Sequence, residues 1–150
     1  MAELSTTKAK EEDFEFAWEI YEETMSPALS GVLKRQWDSE SEKLNFGTTW
    51  EVEDSHIILL NGKKIGWLSY QVAKDLLSIK NLYISGEYQR KGIGTILIDA
   101  IVKEGQKAGV ESIDASVLKV DSIDKFAEKQ GFVVSVSNES KIVNQVSLNL

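Results

Sequence analysis

The residues best suited to chemistry lie in one short segment, Gln89 to Gly94 (Gln-Arg-Lys-Gly-Ile-Gly). It stands between an apolar run and an amphipathic stretch, so it predicts a strand, a polar loop and the first turn of a helix. The first N–H groups of a helix lack internal partners and carry the positive end of its dipole. Glycines there let an anion approach the backbone, and Arg90 and Lys91 add positive charge. The segment therefore predicts a phosphate-binding site.

Two other phosphate motifs fit this segment poorly. A dinucleotide fingerprint needs a third glycine three residues after Gly94, where the chain has Leu97. A P-loop needs Gly-Lys-Ser/Thr after a four-residue gap from its first glycine, and this is missing. At this point a purely structural interpretation also stays open, in which Gly92 and Gly94 only allow close packing between helix and strand.

The same segment resembles the Gln/Arg-x-x-Gly-x-Gly/Ala signature of the GNAT superfamily of N-acetyltransferases. Leu82-Tyr83-Ile84 and the Glu-Tyr before Gln89 also match. The later Phe-Ala-Glu-Lys-Gln-Gly-Phe, residues 126–132, is similar to the family's Phe-Tyr-Glu-Lys-Leu-Gly-Phe. The resemblance covers residues 55–150 well, and the helices before them carry no specific motif.

This resemblance implies a site for acetyl-coenzyme A and no metal. In the family, backbone groups of the central strand pair with the pantetheine arm, and amides of the loop and helix start hold the pyrophosphate. The residues implied in cofactor binding are Leu82, Tyr83, Ile84, Gln89, Arg90, Lys91, Gly92, Ile93, Gly94, Thr95, Asp121, Phe126 and Lys129. Lys129 has an alternative role with Lys125, as part of a solvated helix face.

The implied reaction is acetyl transfer to a primary amine of a small molecule or peptide. The Ile84 backbone amide is the candidate that polarises the thioester carbonyl, and a donor of this kind contributes roughly 3–4 kcal/mol. Two features depart from the family. Ala127 stands where a tyrosine commonly protonates the thiolate, and Ser78 lies near the position where some members carry a glutamate base. We therefore assign no general acid or base from the sequence.

These departures motivate an alternative function. The chain would then be a GNAT-like protein that binds acetyl-coenzyme A without transferring the acetyl group, and would act as a sensor or interaction module. Detectable acetyl-dependent thiol release with any amine would contradict this alternative.

Composition sets the broader class. The 150 residues suit a single domain, here one GNAT-like domain over 1–150, and without cysteine there can be no disulfide or thiolate metal site. A single histidine argues against a histidine metal site. The net charge of −7 argues against nucleic acid and anionic membranes. Since no secretion signal or long apolar run is present, we expect a cytoplasmic protein. A homodimer is possible, because dimers are common in the family.

Periodicity and turn residues predict a mixed α/β protein of the α+β type. The resemblance adds that its mostly antiparallel central sheet is splayed at the cofactor strand and flanked by helices. Ser26-Pro27 should end the first helix, and Asn61-Gly62 should form a type I′ hairpin turn. We predict helices over 12–25, 28–44, 93–108 and 122–130, and strands over 56–60, 63–72, 76–85, 111–118, 132–136 and 141–149.

Overall fold

The structure is a computed structural model that describes residues 3–33, 36–118, 121–135 and 143–150, with Val32, Leu33, Leu118, Asp121 and Ser122 described by their backbone alone. Its helices are α1 (Phe14–Leu33), α2 (Ser39–Thr49), α3 (Ile93–Ala108) and α4 (Asp121–Lys129). Its strands are β1 (Leu4–Lys8), β2 (Ser55–Leu60), β3 (Lys63–Ala73), β4 (Leu76–Ile84), β5 (Ser112–Leu118), β6 (Val133–Ser135) and β7 (Val143–Asn149).

These strands form one sheet in the order β1-β2-β3-β4-β5-β7-β6. β4 and β5 are parallel, and the pairs β1–β2, β2–β3, β5–β7 and β6–β7 are antiparallel. The predicted fold class, a mostly antiparallel mixed sheet flanked by helices, is confirmed. Within the described part of the chain, the protein contains no helix long and apolar enough to cross a bilayer.

The predicted hairpin is present between β2 and β3. Leu60 pairs with Lys63, and the two residues between them have positive φ, 51° at Asn61 and 81° at Gly62. Both values suit a type I′ turn, in which two residues adopt positive φ.

The predicted end of the first helix at Ser26-Pro27 is wrong. α1 continues through Pro27 to Leu33, although an interior proline costs about 3 kcal/mol relative to alanine. Met25 and Leu29, on either side of the proline, are both buried. Burying such a side chain contributes about 1.5–3 kcal/mol, so the packing of both turns offsets the missing N–H.

The predicted helix over 28–44 is also wrong, because a helix boundary falls inside it. α2 begins at Ser39, where the side chain of Asp38 accepts a hydrogen bond from the Ser41 N–H at 3.3 Å. The first strand, β1, has no counterpart in the sequence prediction. Four of its five residues are exposed, so it lacks the alternation that reveals a half-buried strand.

The chain divides into two compact units. Unit 1 comprises Met1–Ser69 and Asn81–Gln89, and unit 2 comprises Tyr70–Lys80 and Arg90–Leu150. Unit 1 has an aromatic core centred on Phe46, whose ring centroid lies 4.8 Å from that of Tyr21 and 5.8 Å from that of Trp67. Trp67 is 1% exposed, and its indole N–H donates to the Ala17 carbonyl at 3.1 Å. The core of unit 1 is therefore built largely from stacked and tilted rings.

Strand β4 has one residue more than the stretch of β3 beside it. The two-residue turn at Lys74 and Asp75 makes Ala73 and Leu76 neighbours, while the Ser85 N–H donates to the Ile65 carbonyl at 2.8 Å. From Ile65 to Ala73, β3 advances by eight residues, whereas β4 advances by nine from Leu76 to Ser85. The additional residue requires a β-bulge in β4.

Candidate active site

The start of α3 has an open, positively polarised backbone. Gly92 is its N-cap, with φ 80°, and Arg90 also has positive φ, 60°. Among the described residues, apart from its chain neighbours and its own helix backbone, no atom would lie within 4 Å of a Cβ atom at Gly92. The first turn of α3 contains no acidic residue, and both Arg90 and Lys91 are exposed. These features suit the close approach of an anion.

Gly94 has a different environment from Gly92. A Cβ atom at Gly94 would lie 3.1 Å from Cζ of Phe126 on α4. The same two helices are also joined by a hydrogen bond from Gln130 Nε2 to Thr95 Oγ1, at 3.2 Å. The structural interpretation of the two glycines therefore holds for Gly94, and the structure brings Phe126 to the first turn of α3.

At the end of β4, the backbone N–H and C=O groups of successive residues point alternately towards β3 and away from it. Because Ser85 is bonded to Ile65 on β3, the N–H and C=O groups of Leu82 and Ile84 point away from β3, and those of Tyr83 point towards it. The side chain of Gln89 donates to the Ile84 carbonyl at 2.8 Å. β3 approaches this segment so closely that a Cβ atom at Gly66 would lie 2.2 Å from the Tyr83 carbonyl oxygen.

The loop between β4 and Gln89 is anchored by a residue that the sequence did not reveal. A carboxylate oxygen of Glu23, on α1, accepts a hydrogen bond from the Gly86 N–H at 2.7 Å. The two residues are 63 positions apart, so no local pattern could indicate the contact. On the same loop, the Tyr88 ring lies under Lys63 Nζ, 5.6 Å from the ring centroid. The hydrogen bond to Tyr88 raises the pKa of Lys63.

Tyr83 is a half-buried phenol within the aromatic core of unit 1. Its ring centroid lies 5.3 Å from that of Trp67 and 5.7 Å from that of Tyr21. Burial, with a smaller effect of Tyr21, raises the pKa of Tyr83 well above its ordinary value. A phenol so weakly acidic gives up its proton less readily than an ordinary tyrosine, so Tyr83 is a poor candidate for a general acid.

The remaining predicted positions lie on α4. Ala127 is 7% exposed, so the methyl group at the family's tyrosine position is buried. Lys129 and Lys125 are both exposed. The side chains of Asp121 and Ser122 lie outside the described residues.

A pocket of about 210 Å³ lies in unit 2, where β4 and β5 stop pairing. The last pair of their ladder is Ile79 with Ala115. The polar residues that line the pocket are Ser78, Lys80, Asp114, Ser116 and Gln145. Of these, only Ser78 was singled out from the sequence. Asp114 was missed because it is close to Ser78 only through the parallel register, which the sequence does not reveal.

Comparison with known proteins assigns the family. The model of the acetyltransferase (GNAT) family matches residues 10–132. The chain therefore belongs to the GNAT acetyltransferase family, as the two motifs predicted. No curated protein sequence matches the chain.

Solved structures agree on the fold. PaiA N-acetyltransferase from Thermoplasma acidophilum, in complex with coenzyme A, has a TM-score of 0.69 and 20% identity, and the match covers 95% of this chain and 98% of that one. An acetyltransferase from Thermus thermophilus has a TM-score of 0.74 and 16% identity over 98% and 97%. YncA from Salmonella typhimurium, solved with its cofactor acetyl-CoA, has a TM-score of 0.63 and 16% identity over 98% and 94%.

Proposed function

We propose that this protein transfers an acetyl group from acetyl-coenzyme A to a primary amine of a small molecule or peptide. The observation that supports this most is the start of α3, where Gly92 is open to an approaching ligand and the first turn is free of acidic residues. In a member of the GNAT family, this segment fits the pyrophosphate of the coenzyme.

The proposed coenzyme site uses the segment that begins with Gln89 and the end of β4. Amides from Gln89 to Thr95 hold the pyrophosphate, and exposed Arg90 and Lys91 contribute positive charge in an otherwise acidic chain. Backbone groups of Leu82 and Ile84, which point away from β3, pair with the pantetheine arm. Tyr83 contributes less, because its backbone groups are directed at β3.

When bound, acetyl-coenzyme A supplies an activated thioester. The Ile84 N–H is the donor that we propose for its carbonyl oxygen. The hydrogen bond from Gln89 to the Ile84 carbonyl fixes this end of β4, so the donor is held in place before reaction. A preorganised donor of this kind is worth roughly 3–4 kcal/mol.

The first experiment is isothermal titration with acetyl-coenzyme A, with NAD as the control ligand. We expect micromolar or tighter binding of acetyl-coenzyme A alone. Release of free thiol in the presence of an amine panel then tests the transfer. Equal binding of NAD, or no binding of either ligand, would contradict the proposed site.

The second candidate function is coenzyme binding without transfer, which is supported by the buried alanine at position 127. It predicts the same titration result but no amine-dependent thiol release. The two assays together therefore separate the candidates.

A further inference from the structure

The pocket between β4 and β5 is polar because of the strand faces that form it. Leu77 and Ile113 are fully buried, and a Cβ atom at Gly105 of α3 would lie 3.5 Å from Ile113 Cδ1. Side chains alternate along a strand, so Ser78 and Asp114 lie on the sheet face opposite α3. The register pairs these two residues directly. A carboxylate and a hydroxyl thus lie side by side on this face.

Asp114 is the acidic residue among the lining side chains. It is partly buried, and its carboxylate makes no hydrogen bond or ion pair with side chains of the described residues. Its neighbours Ser78, Ser116 and Gln145 are neutral. Gln145 Nε2 donates to Ser116 Oγ at 2.8 Å, which fixes the amide and leaves its oxygen as an acceptor. The pocket therefore combines one negative charge with several neutral acceptors.

This set of hydrogen-bond acceptors matches the chemistry of a primary ammonium group. An ammonium has three N–H donors and no acceptor, and hydrogen bonds to a carboxylate are stronger than those between neutral groups. An anion would be repelled by Asp114. Lys80 is the cation that lines the pocket, but it is exposed and forms no ion pair within 4 Å with Asp114. No side chain of the described residues therefore competes with a ligand for Asp114.

We propose that this pocket binds a primary ammonium group of the acceptor, with Asp114 as its counter-ion. The inference rests on the proposed function, since it names the subsite for the acceptor of that reaction. It also commits to cationic amines as the acceptor class, in an acidic protein with a net charge of −7.

The test is a titration followed by NMR spectroscopy of the 15N-labelled protein. Propylammonium is the probe, and propionate, of similar size and opposite charge, is the control ligand. We expect propylammonium to shift the amide signals of Ser78, Asp114 and Ser116 in a saturable manner, and propionate to leave them unchanged. Saturable binding of propionate at these amides, or no saturable shift with propylammonium, would overturn the proposal.

Matched variants test whether propylammonium binding depends on the Asp114 carboxylate. Asp114→Asn should weaken propylammonium binding at least tenfold, which corresponds to ~1.4 kcal/mol. Asp99→Asn removes the same charge from an exposed position on α3 and should leave the affinity unchanged. Equal affinity in the wild type and Asp114→Asn would overturn the proposal. Asp114→Glu, which keeps the charge, should retain binding and shows that a loss in Asp114→Asn is not a folding defect.

Titration of the same proteins with acetyl-coenzyme A keeps the two proposals apart. Coenzyme binding without propylammonium binding would leave the proposed function standing and overturn the ammonium site. Propylammonium binding without coenzyme binding would support the ammonium site and contradict the proposed function.

Discussion

At the scale of single residues, Gly92 and Gly94 have different structural environments although they belong to one motif. The sequence left two interpretations open, an anion site or tight helix packing. Gly92 has φ 80° and, among the described residues, open space where a Cβ atom would lie, whereas Gly94 packs against the Phe126 ring. Sequence spacing predicted the segment but could not divide these roles, because the position of Phe126 depends on how α4 packs.

Gly92→Glu should abolish binding of acetyl-coenzyme A, because it places a side chain and a negative charge where we propose the pyrophosphate. Isothermal titration measures the loss. Gly109→Glu is the matched control, since Gly109 caps the other end of α3 with φ 76° and equally open surroundings. Both variants carry the cost of about 1–2 kcal/mol for a non-glycine residue with positive φ. Unchanged affinity in Gly92→Glu would show that the site lies elsewhere.

Ala127→Tyr should destabilise the protein, although it restores the family's tyrosine. Ala127 is 7% exposed, and overpacking a buried position costs about 1–3 kcal/mol. We expect a lower Tm by thermal denaturation, by about 2–4 °C for each kcal/mol. Glu128→Tyr, at the exposed neighbouring position, is the control. If the Tm of Ala127→Tyr is unchanged, the site has room for the ring, and a higher turnover would then show that proton delivery to the thiolate was limiting.

At the scale of secondary-structure elements, the sequence predicted turns and helix ends best, because a few neighbouring residues determine them. Asn61-Gly62 defined the hairpin, and Gly109 and Gly131 mark helix ends with φ 76° and 94°. The sequence prediction failed where tertiary packing determines the structure. At Pro27, burial of the helix face keeps α1 continuous. The sequence also could not predict β1, whose exposed residues pair with β2 through the backbone. Turns and helix caps depend on a few neighbouring residues, whereas the strand that pairs with β1 lies far away in the sequence.

The start of α1 is fixed to β3 by an ion pair. Asp13 is 5% exposed and accepts hydrogen bonds from Lys64 Nζ at 2.7 Å and from the Lys10 N–H at 2.8 Å. Burial by itself raises the pKa of Asp13, but these hydrogen bonds outweigh it and lower the pKa below its ordinary value. The carboxylate form is therefore stabilised by folding.

Asp13→Asn should lower the free energy of unfolding at pH 7 by about 1–3 kcal/mol, because it removes the negative charge from the buried carboxyl group that accepts hydrogen bonds from Lys64 Nζ and the Lys10 N–H. A lowered pKa contributes stability above the ordinary pKa near 4, and this contribution is lost as pH falls through the lower pKa of the folded state. The difference between wild type and variant should thus shrink in acid. Urea unfolding between pH 7 and pH 2 measures it, with Glu12→Gln as the exposed control. A pH-independent difference would contradict the role of the charge.

Pro27→Ala should stabilise α1. Pro27 is exposed inside the helix, so the substitution restores an N–H donor without changing the core. We expect the free energy of unfolding to rise by up to about 3 kcal/mol, measured by denaturant titration. Ser26→Ala is the control for added helix propensity nearby. A loss of stability would show that the local bend at the proline is required for packing of Met25 and Leu29.

At the scale of the whole molecule, a net charge of −7 must accommodate an anionic coenzyme. The proposed site meets this requirement locally, through helix amides, Arg90 and Lys91. The acidic composition predicted the need for such a patch, and the segment from Gln89 to Gly94 is where the sequence predicts it. The polar pocket beside Asp114 needed the three-dimensional register of β4 and β5, which no property of the chain as a whole reveals.

Acetyl-coenzyme A should raise the thermal stability of the whole protein. At about 100 times its Kd, a ligand that binds only the folded state adds about 2.7 kcal/mol, which corresponds to about 5–11 °C in Tm at this chain length. Differential scanning fluorimetry measures the shift, and NAD should give none. Gly92→Glu should also show no shift; an equal shift in that variant would mean that the coenzyme stabilises the protein from another site.

The additional residue in β4 makes the end of this strand sensitive to changes in length. Deleting one residue at Lys80 or Asn81 would leave eight steps on both strands and remove the bulge, and Tyr83 would keep its place in the aromatic core. The bend and extra twist that a bulge gives its strand would be lost, and with them the course of β4 just before Leu82 and Ile84. A change of one residue at this point thus alters the proposed coenzyme strand more than most substitutions. Insertions and deletions in natural variants should accordingly avoid this stretch and gather in surface turns such as Lys74-Asp75.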